Sequence, residues 1–317
     1  MAWYWIVLIV VGALALLYLL LSFFVAKAVL KMAVTPVAHT LDEAREYQQA
    51  NEHISYADYD NVWRKESFQL NGVQGKIVGE IVYNDSATQK RPKVAVVCHG
   101  HTWNRLNSIK YANVFYSKGY NFVLYDHAYF GESDGKYTTL GMNEKDDLNT
   151  VLNLVREKFG NLAFVGLHGE SMGAATVLLE LGERKDVDLV VADCPFSDTM
   201  KYYRELLRHL THLPSFPTVD IANAMAKRKY GYDFTKVIPL RAVQNSDTPI
   251  CFIHGADDDF IYPSHSKKMF AVCKNPLSEL HIVDGAGHAR SHLVNNQGYW
   301  EIVCNFLDKV EKANNLQ

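Results

Sequence analysis

The sequence lacks the cysteine and basic-residue patterns that are typical of metal sites, disulfide frameworks and nucleic-acid binding. Five cysteines are spread over 317 residues, their number is odd and no Cys-x-x-Cys pair occurs, so neither a zinc site nor a disulfide scaffold is expected. The net charge is −3 and the chain has no basic run or stripe, which argues against a nucleic-acid partner. Repeats and low-complexity tracts are also missing. The composition, with 48% hydrophobic residues, is that of a chain with a packed core.

Charge is missing altogether from the first part of the chain. No residue from Ala2 to Ala26 is charged, and a bilayer core needs roughly 20 consecutive apolar residues in a helix. A cleaved signal peptide is the competing interpretation, since Ala26-Lys27-Ala28 has the small-x-small form of a cleavage site. However, the apolar run is too long for a signal peptide and no basic region precedes it. A buried helix of a soluble protein would usually have a polar stripe. We therefore predict an uncleaved membrane anchor at residues 1–29.

Basic residues follow the apolar segment rather than precede it. Lys27, Lys31 and Arg45 come after it, and only the α-amine is basic before it. The positive-inside rule then predicts a single-pass protein whose remaining chain lies on the cytoplasmic side of the membrane. Unpaired cysteines agree with such a reducing compartment.

The rest of the chain divides into a polar connector at 30–66 and a larger domain at 67–317. In the larger domain, an antiparallel strand pattern is followed by short apolar runs that alternate with helical patterns. This alternation predicts an α/β fold, with a mostly parallel sheet and helices on both faces. Between about 195 and 248 the alternation stops, and an irregular helical pattern predicts a cap insertion between two strands. The apolar strand runs are "KVAVVC", "YNFVLYD", "LAFVGLH", "VDLVVAD", "TPICFIHG" and "ELHIVDG".

One short motif, "GLHGESMGAAT", carries the clearest chemical signal. Gly169-Glu170-Ser171-Met172-Gly173 follows an apolar strand and precedes a helical pattern, which is the arrangement of a nucleophile elbow. The small neighbours let strand and helix approach, so that the hydroxyl of Ser171 stands free at the sheet edge. The backbone N–H of Met172 would then begin the helix, where it can stabilise an oxyanion. Glu170 is expected to be a buried, hydrogen-bonded support beneath the turn, and Cys194 a packing residue rather than a second nucleophile.

A serine nucleophile needs a base and an orienting acid, which in this kind of site follow it in the chain as acid and then histidine. His288 ends a later strand in "HIVDGAGHARSH", and His292 is the alternative base. The acid comes from the trio at 257–259 after "ICFIHG", or from Asp193, which ends the earlier strand "VVAD". A second oxyanion amide is expected in the loop "HGHT" after an earlier strand, from His101 or, alternatively, from Thr102.

Taken in order, these segments resemble the α/β-hydrolase superfamily of serine hydrolases, and within it the membrane-anchored bacterial α/β hydrolases of poorly known substrate. The resemblance extends over most of residues 93–310, through "VVCHGHTWNRLNSIKY", "YDHAYFGESDGKYTTLGMNEKDDL", "GLHGESMGAAT", "ADCPFSD", "FIHGADDDFI" and "GAGHARS". The family pattern Gly-x-x-Asp-x-x-apolar, laid on Gly255, selects Asp258 over Asp257 and Asp259. One departure is "DHAYFG", where Ala128 and Tyr129 replace the arginine and glycine that the superfamily often has. This departure puts a local ion pair and the loop shape in doubt.

The resemblance implies cleavage of a carboxylic ester or related acyl bond through an acyl-enzyme, with no metal or other cofactor. Amide or peptide hydrolysis, thioester hydrolysis and acyl transfer remain alternatives on the same three residues. A non-catalytic binding protein is less favoured, because no member of the triad is missing. The expected partners are a small acyl substrate and the membrane. Cap side chains expected at the substrate are Tyr202, Tyr203, Leu206, Leu207 and Phe216.

Overall fold

A computed structural model of the protein describes residues 2–85 and 91–316; Met1, residues 86–90 and Gln317, which belong to the predicted segments, lie outside the described part. One eight-stranded sheet organises the chain. Its strands are β1 (Arg64–Gly72), β2 (Gly75–Tyr83), β3 (Lys93–Cys98), β4 (Asn121–Tyr125), β5 (Phe164–Glu170), β6 (Leu189–Asp193), β7 (Ile250–Gly255) and β8 (Glu279–Val283).

The strand order across the sheet is β1-β2-β4-β3-β5-β6-β7-β8. β1 pairs with β2 and β2 with β4 in antiparallel fashion, and the five remaining pairings, from β4 across the sheet to β8, are all parallel. Strands β3 to β7 are buried along their whole length, as their continuous apolar runs predict for a sheet covered on both faces. The predicted α/β fold with a mostly parallel sheet is confirmed.

Helices cover both faces of the sheet and enclose two separate apolar cores. One core contains side chains of the helices at 144–159 and 172–180, and the other contains those of the helices at 109–117 and 296–313. The helices of the chain are α1 (Ala2–Val34), α2 (Leu41–Asn51), α3 (Ala57–Asn61), α4 (Ile109–Ser117), α5 (Glu144–Phe159), α6 (Met172–Glu180), α7 (Thr199–Thr211), α8 (Thr218–Tyr230), α9 (Pro239–Gln244), α10 (Ser264–Phe270), α11 (Ser291–Val294) and α12 (Asn296–Ala313).

The segment between β6 and β7 is helical and forms a third apolar core above the sheet. It consists of α7, α8, a short 3₁₀ turn at Phe234–Lys236, and α9. Its buried side chains pack against residues of α1, among them Ala26, Leu30 and Val34. The cap and the end of α1 therefore share one core.

Helix α1 is longer than the predicted anchor, because it continues from residue 29 to Val34. It is long and apolar enough to span a bilayer, and the side chains of its first two thirds are mostly exposed. Its last third packs on α8 and the cap. The connector at 30–66 contains the end of α1, then α2 and α3, and β1 begins at Arg64, three residues before the predicted domain boundary.

Candidate active site

The turn between β5 and α6 holds Ser171 in a conformation that L-residues rarely adopt, with φ 55° and ψ −111°. The flanking glycines are required by close approach of the backbone. A Cβ on Gly169 would lie 2.3 Å from the carbonyl carbon of Gly173, and one on Gly173 would lie 2.2 Å from the carbonyl oxygen of Cys98. The strained turn points the serine side chain into a cavity at the carboxyl edge of the sheet.

Two side chains from later strand ends complete a hydrogen-bonded chain with this serine. His288, in the loop after β8, has its Nε2 2.9 Å from the Oγ of Ser171. Its Nδ1 lies 2.8 Å from Oδ2 of Asp258, in the loop after β7. The structure thus brings together the three residues that the sequence analysis selected for nucleophile, base and acid.

The carboxylate of Asp258 is completely enclosed by donors. Its Oδ1 accepts from the backbone N–H groups of Phe260 (3.0 Å) and Ile261 (2.8 Å). Its Oδ2 lies 3.2 Å from Nε2 of His254, besides its contact with His288. Burial opposes ionisation of Asp258, but the hydrogen bonds from His254 and His288 outweigh it, so the pKa of this carboxyl lies well below its ordinary value. Asp258 is therefore held as an anion against the imidazole.

The alternatives to Asp258 lie elsewhere. Asp257 and Asp259 are exposed turn residues. Asp193 is fully buried beneath the elbow, where burial and the charge of Glu170 raise its pKa to about 7. His292, the alternative base, is paired with Asn296 at 2.9 Å.

The expected oxyanion amides lie on both sides of Ser171. Met172 begins α6, and the first N–H groups of a helix have no partner within it. His101 and Thr102, in the loop after β3, line the same cavity as Ser171, and Thr102 has a positive φ of 73°. The imidazole Nε2 of His101 donates to the carbonyl oxygen of Ala33 in α1, at 3.1 Å, and burial lowers the pKa of His101 to about 4. A neutral His101 thus links the loop to α1.

A charged cluster supports the elbow from below, and the sequence analysis identified only one of its members. Lys110 is buried on α4 with its Nζ 3.0 Å from a carboxylate oxygen of Glu170 and 3.2 Å from one of Glu52. Tyr111 also donates to Glu170. Burial opposes ionisation of Glu170, but Lys110 and Tyr111 lower its pKa. The expectation that Glu170 is a buried support is confirmed. In the pattern "SIKYANVFYSKG", Lys110 has no feature that separates it from a surface lysine.

An apolar cavity of about 360 Å³ leads to Ser171, and the expected substrate residues divide around it. Tyr202, Tyr203 and Leu206 line it, as does Leu207. Phe216 does not line it: its side chain is 70% exposed, and its carbonyl oxygen accepts from the hydroxyl of Tyr18 at 2.7 Å. The assignment of Phe216 to the substrate is corrected, because the bend before α8 turns it away from the cavity and toward α1.

One group of side chains at the site has the spacing of a metal site. Cys194, Asp258 and His288 each place a potential ligand atom within 4.8 Å of the other two. Asp258 and His288 are already hydrogen-bonded to each other there, and burial raises the pKa of the Cys194 thiol well above its ordinary value, which opposes metal binding by the thiolate.

The loop after β4 departs from the family pattern, because Ala128 stands where an arginine is common. Asp126 in this loop nevertheless forms an ion pair, with Arg105 from the loop after β3. Arg105 therefore supplies the positive charge that the family arginine would supply.

Known proteins resemble this chain in sequence over most of its length. The sequence model of the prolyl oligopeptidase family matches residues 113–313. The uncharacterized protein YqkD of Bacillus subtilis (strain 168) is 38% identical over 231 residues, which are 72% of this chain and 75% of that protein. The uncharacterized membrane protein YNL320W of Saccharomyces cerevisiae is 25% identical over 206 residues, or 63% of this chain and 65% of the yeast protein.

The structural likeness extends over most of the chain. The Pyrococcus furiosus esterase Pf2001 superposes with a TM-score of 0.65 at 23% sequence identity, covering 80% of this chain and 94% of the esterase. At that identity the superposition shows the shared fold, which is the α/β-hydrolase fold that the motifs predict. The family match, the relatives and the fold lead to one assignment: the chain belongs to the prolyl oligopeptidase family of hydrolases, within the α/β-hydrolase superfamily.

Proposed function

We propose that the protein is a serine hydrolase that cleaves a carboxylic ester through an acyl-enzyme on Ser171. The observation that carries the proposal is the continuous hydrogen-bonded chain from the Oγ of Ser171 through both nitrogens of His288 to Asp258. A hydroxyl is a weak nucleophile unless a base accepts its proton, and the base needs a fixed tautomer. Here the Asp258 carboxylate accepts from Nδ1–H of His288, which leaves Nε2 free to accept the proton of the serine.

The reaction begins when the Oγ of Ser171 attacks the acyl carbonyl and its proton passes to Nε2 of His288. Asp258 stabilises the imidazolium that forms. The oxyanion accepts from the backbone N–H of Met172 and from that of His101, with Thr102 as the neighbouring candidate. The C–O bond of the ester then breaks, and the alcohol leaves with the proton from His288. Water repeats the sequence with His288 as its base and releases the acid and the free serine.

A second candidate is hydrolysis of an amide or peptide bond on the same residues, which membership of the prolyl oligopeptidase family favours. The lining of the cavity favours an apolar acyl group, since nearly all its side chains are aliphatic or aromatic. Thioester hydrolysis and acyl transfer to an alcohol use the same chemistry and differ in the leaving group and the acceptor.

The test is labelling of the full-length protein, in detergent, with a fluorophosphonate, followed by assay of one acyl group as ester, thioester and amide. We expect labelling at Ser171, no labelling of a Ser171→Ala variant, and the fastest turnover with the ester. Added alcohols that replace water in the products would instead favour acyl transfer. Intact protein that hydrolyses none of these substrates and never reacts at Ser171 would refute the proposal.

We also propose that α1 anchors the protein with its hydrolase domain on the cytoplasmic side. The support is the apolar length of α1 and the exposure of Lys27 and Lys31 beyond its apolar run. Fusions of green fluorescent protein and of alkaline phosphatase to the C-terminus distinguish the two sides. We expect the first to fluoresce and the second to be inactive, and the opposite pair of results would reverse the orientation.

A further inference from the structure

The cavity that leads to Ser171 has one wall made by the end of α1. Val29, Met32 and Ala33 of the helix line it, as do Pro36 and Val37 directly after the helix. The opposite wall comes from α7 of the cap. An anchor that only attached the domain to a membrane would need no contact with the site, yet this helix contributes side chains to the same apolar space as Ser171.

The rim of this cavity is apolar and open. Met32 is 65% exposed, Val37 is 79% exposed and Leu210 of the cap is 61% exposed, and all three line the cavity. Apolar side chains exposed together mark surfaces that meet apolar ligands or membranes. On the helix side, the rim residues Met32 and Val37 follow Lys27 by five and ten residues, so they come after the uncharged part of α1 that is proposed to cross the bilayer.

The tip of the cap lies alongside the apolar part of the same helix. The Tyr18 hydroxyl donates to the carbonyl oxygen of Phe216. Tyr18 is nine residues before Lys27, which at 1.5 Å per residue is about 14 Å further along the helix toward the bilayer. Leu213 and Phe216 at this tip are exposed. The tip of the cap therefore lies against the apolar part of α1, at a position before Lys27 in the helix.

The other side of Ser171 is different in chemistry. A second cavity of about 300 Å³ meets the serine and His288 there, and its lining mixes aromatic side chains with charged ones, among them Glu52, Lys110 and Arg290. With Glu170 it holds two acidic and two basic groups, so it is polar without an excess of either charge. Ser171 thus stands at the border between one apolar and one polar compartment.

We propose that α1 is part of the substrate site, and that the substrate is a membrane-resident amphiphile with a single acyl chain and a polar leaving group. The chain lies between α1 and α7, with its carbonyl carbon at Ser171 and its polar group in the second cavity. Attack by Ser171 transfers the acyl group to the serine and releases the polar alcohol; water then releases a fatty acid. This inference rests on the proposed function of Ser171 and adds the identity of the acyl site.

The test uses full-length protein in lipid nanodiscs, with p-nitrophenyl acetate and p-nitrophenyl dodecanoate as probes. Val29→Trp fills the wall from the helix, and Val37→Trp narrows the exposed rim without entering a core. Ala28→Trp is the matched control, because Ala28 lies on the same turn but outside this cavity and is exposed. If the introduced tryptophan keeps two methylenes of the dodecanoyl chain out of the cavity, their lost burial corresponds to about a tenfold loss of kcat/KM.

We expect Val29→Trp and Val37→Trp to lower kcat/KM for the dodecanoate by about tenfold while the acetate rate stays near that of wild type. Ala28→Trp should change neither rate. Equal loss with both esters, no loss with the dodecanoate, or the same loss in Ala28→Trp would overturn the role of α1 and leave the Ser171 chemistry standing. A wild-type protein that hydrolyses neither ester through Ser171 would overturn the proposed function and this inference together.

Discussion

Replacing Asp258 with asparagine gives a sharp test, because the surroundings of this residue fix how the new amide must point. The N–H groups of Phe260 and Ile261 both donate to Oδ1. An amide NH₂ cannot accept them, so the amide oxygen of the introduced side chain must take that place. The NH₂ group is then directed to Nδ1 of His288, where the carboxylate Oδ2 stood at 2.8 Å.

The consequence is a reversal of the histidine tautomer. Nδ1 of His288 now accepts a hydrogen bond, so the proton moves to Nε2, which faces the serine hydroxyl 2.9 Å away. That nitrogen no longer has a lone pair for the proton of Ser171. The expected loss of kcat is on the order of 10⁴-fold, or about 5.5 kcal/mol of barrier. The rate acceleration that remains in the variant comes from substrate binding and the oxyanion amides.

The assay is the steady-state rate of ester hydrolysis by full-length protein in detergent, with a thermal melt of each variant to verify folding. Asp257→Asn is the matched control, since Asp257 is an exposed neighbour in the same turn. Asp193→Asn tests the alternative acid beneath the elbow. An Asp258→Asn variant that folds and keeps more than about a tenth of the activity would refute the tautomer argument, as would an equal loss in Asp193→Asn.

Three further substitutions test what stabilises the fold around the site. Gly173→Ala places a Cβ 2.2 Å from the carbonyl oxygen of Cys98, and we expect a melting temperature well below wild type because backbone must move. Lys110→Met leaves the Glu170 carboxylate buried without its cation, and should cost about 3–5 kcal/mol of unfolding free energy, measured with denaturant. For Asp147, burial raises the pKa from 3.8 to about 7. Its folded-state pKa lies above the unfolded value, so its contribution is favourable below about pH 4 and is lost as the pH rises through about 7. The unfolding free energy of wild type should therefore include a loss on the order of 4 kcal/mol from this carboxyl as the pH rises from about 4 to about 8. Asp147→Asn should lack this loss when its unfolding free energy is measured at the same two pH values.

Each of these has a clear contrary result. An unchanged melting temperature for Gly173→Ala would mean that the elbow is looser than its backbone contacts indicate. A Lys110→Met variant as stable as wild type would mean that Glu170 takes up a proton at little cost. If the unfolding free energies of wild type and Asp147→Asn changed by the same amount between about pH 4 and about pH 8, the burial argument for that carboxyl would be contradicted.

The parts of the site that the sequence predicted are those governed by local rules or by sheet topology. The glycines at 169 and 173 are needed within one turn, so five residues identify the elbow. Asp258 and His288 each follow a strand of a parallel sheet, and the carboxyl ends of such strands meet at one edge. Strand periodicity together with the order of the motifs narrows the acid to the trio at 257–259 or Asp193 and favours His288 as the base, and the family pattern then selects Asp258.

The parts that could not be predicted depend on which elements pack against each other. An uninterrupted apolar helix looks the same on every face, so nothing marked Val29 and Ala33 as lining a cavity. The aromatic pattern of the cap selected Phe216 along with Tyr202, although the chain turns one outward and the other inward. Lys110 is recognisable as a buried cation only after Glu52 and Glu170 are placed around it.

The continuity of α1 has a mechanical consequence. No glycine or proline occurs between Gly12 and Pro36, so the exposed apolar part and the part that packs on α8 form one uninterrupted rod. A protein held by a flexible tether could turn and sample the surrounding solution. With α1 in a bilayer, as proposed, this protein would keep a fixed orientation relative to the membrane, and any tilt of the helix would tilt the domain packed on it. Its encounters with membrane-bound molecules would then depend on lateral diffusion in two dimensions and on the composition of the surrounding lipid.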